Sequence, residues 1–147
     1  MKAMTLRNLQ STSDDGVAGT VRLVLAVLFV MTGAMKLLVP MLGEAFAGQL
    51  LAADIPLYEI SRWTVPFLEI VLGVVLAVGL FVRLACVMVM GVMAVATYVH
   101  VVVNDPALFP LQPSEPIIPI VVMAMCFFLL WRGGGSWSLD LRAVTSR

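Results

Sequence analysis

Apolar residues run along this chain in four long blocks, separated by short polar or proline-bearing breaks. The blocks fall at about Val21–Leu38, Thr64–Phe81, Leu84–Val103 and Ile117–Trp131. Runs of roughly 18–20 apolar residues match a ~30 Å hydrocarbon core at helical rise. The pattern therefore predicts an all-α fold, a polytopic membrane four-helix bundle. The first break, Pro40–Arg62, holds a shorter amphipathic piece at Glu44–Ala53, with Phe46, Leu50 and Ala53 on one side. It is too short to span, so it is expected to lie along the membrane surface or to cap the bundle.

Around these blocks the chain divides into a polar segment over 1–20, a membrane domain over 21–132 and a polar cytoplasmic tail over 133–147. Lys2 and Arg7 resemble the basic start of a signal peptide, but the apolar run that follows is long and lacks a small-x-small cleavage pattern. A retained first helix is expected, ending at Pro40. Tyr58 and Trp63 suit headgroup level, and Pro66 is placed in the first turn of the second helix, where its missing N–H costs little. Between the third and fourth helices, Pro110, Pro113, Pro116 and Pro119 recur every third residue. That spacing suits a stiff polyproline-II connector.

At 3.6 residues per turn, Ala26, Gly33 and Lys36 share one face of the first helix, and Glu69, Gly73 and Ala77 share one face of the second. Small residues let helices approach closely, so both faces are expected to point inward. Helix three carries His100, the only histidine, with Thr97 and Ala96 on its face and Tyr98 beside it.

Composition sharpens this picture: 61% of residues are hydrophobic and 12% charged, which a water-soluble domain could not tolerate. Net charge is zero, so nucleic acid is not expected as a partner. The ten methionines read as adaptable apolar packing. Cys86 and Cys126 stand in separate runs without a C-x-x-C pair and read as buried apolar thiols rather than a thiol–disulfide centre. A lone histidine with no second ligand at chelating spacing gives no metal site.

Four spans put both termini on one side. That side collects Lys2, Arg7, Arg22, Arg83, Arg132, Arg142 and Arg147, against Lys36 and Arg62 on the other, which predicts cytoplasmic termini. Height follows from the same count. Lys36 lies 14 residues beyond Arg22, and Glu69 lies 14 before Arg83. Each is thus ~21 Å from the cytoplasmic boundary, with His100 at ~25 Å. A lone charge in hydrocarbon is expensive, so Glu69 is expected to pair with Lys36, with His100, Thr97 and Tyr98 nearby. These five residues are the candidate ligand-binding set. No catalytic residue is assigned.

Taken in order, several short patterns resemble the DoxX family of small bacterial membrane proteins. They are an arginine opening helix one, Gly33-x-x-Lys36, Pro66-x-x-Glu69-x-x-x-Gly73 and Gly79-x-x-x-Arg83-x-Ala85. Ala96-x-x-x-His100 and the closing Gly135-Ser136-Trp137-Ser138-Leu139-Asp140 complete the set. The resemblance implies a multi-pass protein of the bacterial inner membrane linked to redox metabolism. Relatives include a subunit of a thiosulfate:quinone oxidoreductase and proteins associated with oxidative-stress or sulfur-handling enzymes. Lys36, Glu69 and His100 fall on the family's recurring polar positions.

Three functions compete. A redox-associated subunit would bind a quinone head group at the polar layer, hydrogen-bonding its carbonyl and supplying protons. No intrinsic haem, flavin or iron–sulfur ligand set is visible, so electrons would come from a partner oxidoreductase or stress-response enzyme. A membrane anchor or scaffold for such enzymes is the second reading. A small-solute transporter is the third, weakened because no polar residues continue the layer through the bilayer. Lipid is the certain neighbour, and a homo-oligomer is compatible with all three.

Overall fold

A computed structural model describes residues 12–103 and 116–145, and every regular element among them is a helix. The proline-spaced connector and the basic chain start therefore fall largely outside the described residues.

Helix α1 (Gly16–Leu38) begins five residues before the expected Val21. The reason is local: the Asp15 carboxylate accepts the N–H of Val17 at 2.9 Å and of Ala18 at 3.3 Å, a side-chain cap that starts the helix early. Val39 is extended, and Pro40 then opens α2 (Pro40–Ala52) at a position that asks nothing of its absent N–H. Helix α3 (Tyr58–Val78) starts six residues before the expected Thr64, from Leu57 in the left-handed region. Pro66 is consequently buried inside the helix rather than in its first turn, and the carbonyl one turn earlier loses its usual donor. The turn through Gly79, at φ +72°, and Phe81, at φ +47°, leads into α4 (Val82–Val102). Helix α5 (Ile117–Arg132) and a short α6 (Leu139–Thr145) follow.

Three helices, α1, α3 and α4, are long and apolar enough to cross a membrane. At 16 residues α5 is shorter, ~24 Å long. The chain is thus a helical membrane bundle with three full-length spans and one short apolar helix beside them. Helix α1 packs most extensively on α3 and α4 on α5, while contacts of α3 with α4 and of α1 with α5 close the bundle. Leu25, Phe29, Leu72, Leu76, Val89 and Leu129 fill its core. Large apolar residues such as Val27, Phe67, Val71, Val87 and Phe127 point outward, the arrangement lipid requires.

The α1–α3 couple is the most extensive of these contacts, and two glycines let the helices approach closely. A Cβ on Gly33 would meet the Pro66 carbonyl oxygen at 2.6 Å; one on Gly73 would meet the backbone N of Val30 at 2.8 Å. Both obstacles are backbone, so neither helix could move aside cheaply. The small-residue faces expected on the two helices do meet each other.

Candidate functional site

Two polar clusters sit at opposite ends of this couple. The first lies near the end of α1, where Lys36 stands two residues before Leu38, the last residue of the helix. Its ammonium donates to both carboxylate oxygens of Glu69, at 2.6 and 2.7 Å. The Glu69 side chain is only 4% exposed and that of Lys36 17%, so the pair is open on the lysine side alone. Helix α2 supplies the cover. The ring of Phe46 stands 4.8 Å from Lys36 Nζ, a cation–π contact, and Gly43 lies against the Lys36 carbonyl. Leu42, Leu50 and Ala53 are buried beneath α2, so the short helix caps the bundle through the face expected of it.

The other three candidates stand on α4. His100 Nδ1 lies 2.8 Å from the Ala96 carbonyl oxygen; a carbonyl only accepts, so the Nδ1–H donates this bond. Thr97 Oγ1 donates to Met93 O at 2.8 Å, within its own helix. Tyr98 is 52% exposed and faces away from the bundle interior. The direct bonds of the charge pair thus belong to α1 and α3, with the histidine and threonine hydrogen-bonded along α4.

The second cluster joins Arg22 to the closing Gly135–Asp140 pattern, residues that the sequence marked only as family patterns and not as partners. Arg22 is fully buried. Its guanidinium donates to four backbone carbonyls: Leu76 and Ala77 at the end of α3, and Gly134 and Ser136 beyond α5. Asp140 is buried too, and its carboxylate accepts the N–H groups of Phe81 and Val82 at 3.0 Å each, capping α4. Ser138 Oγ donates to Gly135 O, and Asp15 pairs with Arg132. The hydrogen bond from Arg132, with the N–H groups of Ala18 and Val17, holds the Asp15 carboxyl below the usual carboxylate range. The segment read as a polar tail is docked against the bundle. These contacts bring the starts of α1 and α4 and the ends of α3 and α5 to one level, which fixes an up-down-up-down topology. One signal for Arg22 was present: it stands four residues from both Ala18 and Ala26, on the small-residue face.

Among the described residues, no group of three or more His, Cys, Asp or Glu could hold a metal ion. A family model described as DoxX matches residues 18–102, more than half of the chain. The chain belongs to the DoxX family. The matched DoxX region contains Arg22, Lys36, Glu69 and His100 and stops before the docked segment. No match was found among curated proteins or solved structures.

Proposed function

We propose that this DoxX-family protein is a redox-associated subunit of the bacterial inner membrane, with cytoplasmic termini, that takes a quinone-like head group at Lys36 and Glu69. The observation that carries this is the asymmetric exposure of the charge pair. The carboxylate is sealed, while the ammonium stays partly exposed beside the Phe46 ring. A ligand carbonyl that displaced the ring would gain a charge-assisted hydrogen bond, and an aromatic head group would stack where the phenyl side chain now lies. His100, bonded through Nδ1 to the Ala96 carbonyl, is the proton-transfer residue this reading places on α4. Electrons would pass to or from a partner oxidoreductase.

The test is titration of the purified protein with a fluorescent quinone analogue. Binding is expected to weaken about tenfold or more in Lys36→Met and clearly in His100→Ala. Wild-type affinity in both variants would remove the site.

A second reading rests on a different observation. Lys36 satisfies both Glu69 oxygens, so the pair is already complete as a pin for helix register. In that case the protein anchors soluble redox or stress enzymes to the membrane, and native co-purification followed by mass spectrometry identifies them.

A further inference from the structure

The segment that follows α5 is built inside out. Ser138 and Asp140 are each only 1% exposed, whereas Trp137 is 69% exposed and Leu139 and Val144 also face outward. A segment bathed in water would turn its hydroxyl and carboxylate to solvent and its indole inward. The buried polar row is engaged within the protein. Ser138 Oγ donates to Gly135 O at 2.8 Å and accepts the Leu141 N–H at 3.1 Å, while the Asp140 carboxylate caps α4. The backbone N–H groups of Gly135, Ser136 and Asp140 donate to Thr12 Oγ1, Asp15 O and Gly79 O. None of these groups calls on water, which is the condition that lipid imposes. Trp137 also holds φ at +58°, a region that bulky side chains seldom adopt. Such strain is retained where an orientation is useful, and the side chain so oriented here is an exposed indole.

We propose that this segment lies in the membrane interface, with Trp137, Leu139 and Val144 seated at the headgroup–acyl boundary of a phospholipid bilayer. Its position in the fold favours lipid as the occupant. The segment stands where α1 and α4 begin and α3 and α5 end, hence at a boundary of the apolar spans. A second tryptophan, Trp131, is exposed in the last turn of α5 at the same end. Tryptophan gathers at this depth because its ring is apolar and its N–H polar. The Trp137 ring also continues the lipid-facing wall of α1. A Cβ on Gly19 would lie 3.3 Å from its Cε3, and Leu23, one turn further along α1, is exposed. Arg142 is exposed on α6, and its long side chain reaches phosphate oxygens while its stem stays on apolar ground. The polar row thus holds the protein and the apolar row holds the lipid, which sets the depth of the bundle at this end.

This surface is independent of the quinone reading and uses none of its residues. The chain has three tryptophans, so Trp63→Phe combined with Trp131→Phe leaves Trp137 as the sole indole. The whole chain carrying both changes is reconstituted in phosphatidylcholine–phosphatidylglycerol vesicles, with and without bromine high on the acyl chains, and titrated with aqueous iodide. Brominated lipid is expected to lower its emission about twofold or more, as for an indole at headgroup level, while iodide changes it little. Strong quenching by iodide with no effect of bromine places the ring in water and overturns the proposal. A ring that neither quencher reaches lies beneath a second copy of the chain, which overturns it as well. If the double phenylalanine variant fails to fold, Trp137→Phe in the otherwise unchanged chain decides. Its iodide-accessible emission is expected to equal that of the wild type, and a clear loss of that emission rejects the interfacial placement.

Discussion

Lys36 shows how much a single side chain contributes when its partner is out of water. Replacing it by methionine leaves the Glu69 carboxylate buried without a counter-charge, a change that costs about 3–5 kcal/mol for fully buried pairs. With Lys36 partly exposed, a loss of about 3 kcal/mol is expected in detergent unfolding experiments. Glu69→Gln alone should be milder. Their double-mutant cycle is expected to show a coupling above about 1 kcal/mol. Asp15 gives a second prediction, with its sign fixed by linkage. Its folded pKa is depressed, so the tie to Arg132 stabilises above 3.8, the value of an ordinary aspartate, and is lost as pH falls through the lower native value. The difference in melting temperature between wild type and Arg132→Met should hold from pH 7 to 5 and shrink below pH 4. The charge pair was legible in the sequence because lipid leaves a carboxylate and an ammonium at one height little choice. Arg22 was not. An arginine at the edge of an apolar block looks like a boundary residue, and only the folded chain supplies the four carbonyls that let it sit fully buried.

Between elements, the α1–α3 contact depends on missing side chains. Gly73→Leu would drive a side chain into the backbone of α1 at Ala26 and Val30, so a loss of about 1–3 kcal/mol or a failure to pair is expected. Gly91 on α4 is the control. A Cβ there meets nothing within 4 Å, and Gly91→Ala should be neutral or stabilise by up to about 1 kcal/mol through helix propensity. Thermal melts of the two variants side by side check both. This pairing was readable because Gly33 and Gly73 fall at helical spacing from Lys36 and Glu69. Helix starts were read less well. Counting apolar residues places α3 at Thr64, whereas the polar first turns from Tyr58 are helical as well, which hydropathy does not register.

For the whole molecule, the segment after α5 is as much a part of the bundle as the helices. A chain ending at Arg132 would lose the Asp140 cap on α4 and two of the carbonyls around Arg22. Such a chain is expected to aggregate or to melt well below the full-length protein, and size-exclusion chromatography in detergent should show it. Asp140→Ala removes the cap and the carboxylate charge near the buried Arg22, and should cost at least about 1–2 kcal/mol.

The buried arginine also sets an order of assembly. Gly134 and Ser136 follow Arg22 by 112 and 114 residues, so its shell cannot close until every membrane helix has been made. At common translation speeds that interval is roughly 5–20 s. During it, the guanidinium must remain in water or headgroups, and α1 cannot settle to its final depth. The nascent protein therefore waits on its own far end, and a ribosome stalled between α5 and residue 134 would hold a bundle whose first helix is still unseated.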